Sequence, residues 1–99
     1  MNHTVRFMPQ ALDALARIYL YIEERSGRDR AMDFTMAIHA HCMRLQIFPL
    51  RGVRRDDIRP NLRISIFRRK VTIAYHLDDE VVFIDDVLYG GRDINLLSD

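Results

Sequence analysis

From Pro9 onward, apolar and polar residues change their period once, at Pro49. Before it the apolar positions recur at helical spacing, and after it they alternate. A short alternating run, His3 to Phe7, comes first and reads as a strand that ends before Pro9. Pro9 suits the first turn of a helix, where its missing N–H leaves no bond unmade. From there to about Arg25, the residues Leu12, Leu15, Ile18, Tyr19 and Ile22 trace one apolar face. Ser26-Gly27 is a stop, since glycine takes the left-handed conformation that closes a helix. A second helix is expected from Asp29 to Phe48, with Ala31, Phe34, Ile38, Leu45 and Phe48 on its apolar face and His41 and Cys42 along it. Pro49 ends it. The short joint at Gly27 makes the two an antiparallel helical hairpin.

Beyond Pro49, Leu62, Ile64 and Ile66 alternate with Arg63, Ser65 and Phe67. Val71, Ile73, Tyr75 and Leu77 alternate with Thr72, Ala74, His76 and Asp78. Val81 to Tyr89, rich in Val, Ile and Phe, makes a third run before Gly90-Gly91 breaks it. Short turns around Arg68–Lys70 and Asp78–Glu80 join the three into an antiparallel meander. The order is β-α-α-β-β-β. A helical hairpin must bury its stripe against one face of the sheet, so the expected fold is a two-layer α+β domain covering residues 1–99, with the other sheet face partly open.

Composition narrows the class without naming a function. A chain of 99 residues holds one core, and its 29% charged content is ordinary for a globular domain. The single cysteine, Cys42, excludes an internal disulfide. The start MNHTVRFMPQ lacks the pattern of a signal peptide, and no apolar run reaches membrane-spanning length. A cytoplasmic protein is the expectation.

Most of the conventional chemistry is missing. His39 and His41 sit two apart on a helix, pointing about 200° away from each other, and cannot chelate one ion. His3 and His76 belong to different strands, so no metal and no cofactor is expected. Cys42 lies late in an amphipathic helix as a half-buried thiol, not as a nucleophile. What stands out is charge. Residues 51–70 carry eight bases (Arg51, Arg54, Arg55, Arg59, Arg63, Arg68, Arg69 and Lys70) against Asp56 and Asp57, a net +6. The rest of the chain, with seven bases and twelve acids, carries −5. Arginines of this kind either decorate an exposed loop and guard sheet edges or form a surface for carboxylates and phosphates. With Leu62 and Ile64 turned to the helices, Arg63 falls on the open sheet face, where Asp85 or Asp86 offers an ion-pair partner. Adjacent in one strand, those two aspartates are expected to face opposite sides.

From Phe48 to Asp93 the sequence resembles the ParE branch of the RelE/ParE superfamily of type II toxin–antitoxin toxins. The resemblance rests on Pro49-Leu50-Arg51-Gly52 followed by a basic loop and Leu62-Arg63, on the strand carrying Tyr75, and on a last strand running into Gly90-Gly91-Arg92-Asp93. It implies a RelE/ParE-like fold and a growth-arresting toxin held inactive by a cognate antitoxin, whose disordered C-terminal tail docks on the basic surface. DNA gyrase is the implied target, and nucleic acid is met only through the antitoxin.

The other branch of the superfamily cuts messenger RNA on the ribosome. It uses a basic residue on the second strand, an Arg opening the third, an Arg after the last strand and a C-terminal Tyr. Here Arg63 and Arg92 match the first and third of these, while Thr72 stands at the second and nothing after Tyr89 is aromatic. The resemblance therefore favours a gyrase-directed, non-enzymatic toxin. The alternatives are a ribonuclease using Arg63, Arg92 and Tyr89 (or His76), or an inactivated member that only binds its antitoxin.

Overall fold

The two helices meet through a single residue. Gly27 closes α1 (Pro9–Ser26), its N–H bonded to the Glu23 carbonyl, and opens α2 (Arg28–Met43), its carbonyl accepting from Ala31 N–H. Its φ of 91° is one that a side chain would resist. The computed structural model describes residues 2–90 and residue 97. Besides the helices these form β1 (Thr4–Phe7), a 3₁₀ turn (Arg44–Gln46), β2 (Val53–Arg54), β3 (Arg63–Phe67), β4 (Val71–Asp78) and β5 (Val81–Tyr89). The strands make one sheet in the order β1-β5-β4-β3-β2. β1 runs parallel to β5, and every other pair is antiparallel. The expected β-α-α-β-β-β order holds, with the two-residue edge strand β2 added inside the basic loop.

The helices use their expected faces with two substitutions. In α1 the buried residues are Ala11, Ala14 and Ile18, with Leu15 and Ile22 partly buried, while Leu12 is 53% exposed. Alanines at the contact let the helix backbone lie close to its neighbours, and the bulkier leucine is displaced to the rim. In α2, Ala31, Ile38, His41 and Cys42 are buried, and Leu45 follows from the 3₁₀ turn. The helix stops at Met43, so Phe48 falls outside its register and is 62% exposed.

Both faces of the sheet are used. On the helix side Ile73, Tyr75, Val82 and Ile84 pack with Ile18, Ile38 and Leu45. On the far side Leu62, Ile64, Ala74, Leu88 and Leu97 form a second, smaller cluster, with Ile58 against it. Leu62 and Ile64 thus face away from the helices. The side chains that β3 turns toward them are Ser65, whose hydroxyl meets His41 of α2, and Phe67, and Arg63 shares that face. The expected orientation of β3 is inverted, because its two faces are both apolar enough to be buried and alternation alone does not distinguish them.

A β-bulge resets the last strand. Ala74 pairs with Asp86 and Tyr75 with Ile84, leaving Asp85 as the extra residue of β5. Ile84 and Val87, three apart, consequently both join the helix-side cluster. The expected opposition of the two aspartates fails for the same reason.

The loop from Pro49 to Gly52 is fixed from behind by Tyr75, whose side chain is fully buried. The Tyr75 hydroxyl donates to the Pro49 carbonyl at 2.9 Å and accepts from the Gly52 N–H at 2.8 Å. Gly52 sits so close that a Cβ there would lie 2.6 Å from that hydroxyl and 2.9 Å from the Ile64 carbonyl. Replacing it, Gly52→Ala, is expected to cost about 2 kcal/mol, read as a fall in melting temperature of roughly 10 °C. An unchanged Tm would mean that the loop is not held in this way.

Candidate functional site

The eight basic residues singled out in the sequence are placed in four settings. Arg54 and Arg55 form ion pairs with Asp56 and Asp57, each arginine bonding the carboxylate two residues ahead through two nitrogens. Arg54 and the Asn61 N–H hold the Asp56 carboxyl down to about 2. Arg59 crosses to β5 and bonds Asp85 Oδ2 at 2.9 Å. Arg63 donates to the Gly52 carbonyl at 2.8 Å and the Leu50 carbonyl at 3.2 Å, bracing the loop that Tyr75 also holds. Among the described residues Arg51, Arg68, Arg69 and Lys70 form no ion pair.

These free cations lie in two places. Arg51 belongs to the loop before β2, while Arg68 to Lys70 form the β3–β4 turn, a full five-residue strand away from Arg63 and about 15 Å distant. That turn is strained. Arg68 and Arg69 have φ of 51° and 60°, where glycine or asparagine is the usual occupant. The guanidinium of Arg68 lies 4.8 Å from the Phe67 ring centroid.

Of the nuclease candidates, Arg63 and Tyr89 are held apart. Arg63 pairs with Tyr75 and Tyr89 with Val71, positions four residues apart on β4 and on opposite sides of it. The separation is about 13 Å along the strand and about 10 Å across. Their side chains diverge further, since Tyr89 stacks edge-on with Tyr21 and Phe34. Arg92 lies outside the described residues. His76, the possible substitute, is on the far face of the sheet.

Sequence reasoning missed what His76 does there. Its Nδ1 lies 2.6 Å from Asp85 Oδ2, the same oxygen that Arg59 bonds, and its ring stacks on Phe83 at 5.1 Å. The bulge delivers Asp85 to this face, and no periodicity reveals a bulge. Asp86 is buried and accepts from Gln10 Nε2 and from the Val87 N–H, each at 2.8 Å. The ion pair assigned to Arg63 is therefore made by Arg59.

Two groups on the helix side are chemically quiet. Cys42 is fully buried and not half-buried as expected, because Leu45, Ile38 and the strands enclose it; burial pushes its thiol up to about 12. His41 and His39 diverge as expected, His39 stacking on Phe7 while His41 Nε2 meets the Ser65 hydroxyl at 2.8 Å. Among the described residues no group of His, Cys, Asp and Glu is placed to hold a metal, and no helix is long and apolar enough to cross a membrane.

Two outcomes follow from these contacts. A double-mutant cycle of Arg59→Gln and Asp85→Asn is expected to show a coupling of about 1 kcal/mol, while Arg63→Gln with Asp85→Asn adds within about 0.5 kcal/mol. The reverse order would restore the Arg63 pair. Burial first, then the charges of Arg51 and Arg44, hold His41 below the ordinary histidine range. The unfolded chain takes up that proton as pH falls through about 6.5, and the folded one does not. The unfolded state then binds more protons, so stability is fully present above about pH 7 and is lost as pH falls below it. Denaturant titrations should show a shallower loss between about pH 7 and pH 5 for His41→Gln than for the natural chain.

Comparison with known proteins places this geometry. No curated protein matches the chain by sequence. Among solved structures, a chain of the chromosomal ParDE toxin–antitoxin system from P. aeruginosa superposes with a TM-score of 0.79 at 17% identity, over 89% of this chain and 96% of that one. A chain of the RelBE2 toxin–antitoxin complex from Mycobacterium tuberculosis superposes with a TM-score of 0.65 at 21% identity, over 90% and 99%. At these identities the likeness establishes the α+β fold. The sequence profile of the ParE toxin of the type II toxin–antitoxin system ParDE matches residues 5–94, from β1 past the end of β5, and the chain belongs to that family.

Proposed function

We propose that this toxin arrests growth by binding DNA gyrase, without a nuclease site of its own, and that a cognate antitoxin neutralises it. The observation that carries the choice is the engagement of Arg63. Its guanidinium donates through Nη1 to two backbone carbonyls of the chain, and Tyr89 lies roughly 16 Å away on the backbone. In-line attack of a 2′-OH on the neighbouring phosphate needs cations and a proton carrier around one phosphorus atom. Dispersed residues serve that chemistry badly. A toxin that acts by occupying a protein needs no such convergence.

The antitoxin half of the reading is supported by charge. Arg51, Arg68, Arg69 and Lys70 are exposed, and they suit an acidic segment that orders as it binds. The matched structures are themselves from toxin–antitoxin systems.

Tightly controlled expression without antitoxin, followed by pulses of labelled thymidine and leucine, tests the target. Thymidine incorporation is expected to fall first while leucine incorporation continues. An immediate stop in leucine incorporation would instead indicate a ribosomal target, and unimpeded growth would indicate an inactivated toxin.

A further inference from the structure

We infer that the loop from Ile47 to Arg51 is the seat of the antitoxin, taking a segment that carries large apolar side chains flanked by carboxylates; this rests on the toxin–antitoxin reading above. Exposed apolar residues on the helices, such as Leu20 and Met36, are scattered as on any surface. The loop differs. Ile47, Phe48 and Leu50 are 54%, 62% and 65% exposed, and with Pro49 and Arg51 they line one hollow of about 540 Å³. Contiguous apolar surface of this kind marks a place where another chain sits.

The loop is also held for presentation. Four hydrogen bonds from Tyr75 and Arg63 reach the backbone of Pro49, Leu50 and Gly52 from the inner side, and none of them touches the apolar side chains. A surface fixed before binding loses little conformational freedom on association. The hollow therefore has a shape in the free protein.

Charge selects the occupant. From Arg44 to Arg55 the sequence holds no acid, and among the described residues Arg44 and Arg51 make no ion pair. The charges of both reach His41 from this side. An incoming segment thus meets an apolar floor with a cationic rim, and like charge excludes basic partners. Apolar surface left bare invites aggregation, so its proper occupant is one that covers it from synthesis onward. In a toxin–antitoxin pair that is the antitoxin and not the target.

The test titrates the purified chain with the protein encoded immediately beside it, comparing three variants. Phe48→Ser with Leu50→Ser is expected to raise Kd by about 100-fold or more, with melting temperature within a few degrees of the natural chain, since both side chains are exposed. Leu20→Ser with Met36→Ser, equally exposed elsewhere, should change Kd by less than about 3-fold. Arg51→Glu, which leaves the apolar floor intact, should weaken binding about 10-fold at low salt and progressively less as salt rises. If the natural chain binds and the loop variant binds equally well, the inference fails and the toxin–antitoxin reading stands. If the loop variant keeps its antitoxin affinity but loses inhibition of gyrase supercoiling, the loop belongs to the target and the inference also fails. If the natural chain does not bind its neighbour at all, both readings fall.

Discussion

A phenolic hydroxyl at the centre of a sheet has to find partners, because an unpaired polar atom out of water costs as much as several good contacts return. Tyr75 sits on the central strand β4 with its side chain wholly buried, and the backbone of Pro49 and Gly52 supplies its acceptor and its donor. Much else follows from that need. The chain must leave α2 early enough to bring Pro49 over β4. Residue 52 must lack a side chain, and Arg63 turns inward to hold the neighbouring carbonyls of Leu50 and Gly52. β2 then lands beside β3 as the sheet's edge. What the loop turns outward is apolar, since its polar groups are already engaged on the inner side.

The concentration of positive charge in the sequence has a correspondingly mixed explanation. Arg54, Arg55 and Arg59 have carboxylates of their own, and Arg63 is a structural brace. A cluster on paper is therefore not a patch on the molecule. The exposed remainder divides between the loop before β2 and the strained turn after β3.

Local rules made the helices, their joint at Gly27 and the three long strands legible, because each depends on residues close in sequence. What escaped depends on neighbours that sequence spacing does not specify. Leu12 looks like a better core residue than Ala11, and only the close approach of α1 to its neighbours reverses them. Phe48 has the right spacing for the helix, but the helix has already ended. Arg63 falls on the face opposite to the one its spacing suggests, because Leu62 and Ile64 announce burial without saying on which side. The partners of Asp85 and Asp86 are hidden by the bulge that Asp85 forms. Of the site, the arginines were visible as a group, and their individual employment was not.

That bulge makes β5 a strand with two phases. Up to Ile84 its odd and even positions obey one assignment of faces, and from Asp86 onward they obey the opposite one. Asp85 is surplus to the ladder, since Ile84 and Asp86 already face consecutive residues of β4. A shortening of β5 by Asp85 would leave Ile84 and Asp86 opposite Tyr75 and Ala74 and keep Val87, Leu88 and Tyr89 on their present faces. What such a chain would lose is the carboxylate that Arg59 and His76 share on the far face. A gap of one residue at Asp85 in an otherwise alignable relative would mark the same fold with a regular last strand, its two faces unchanged.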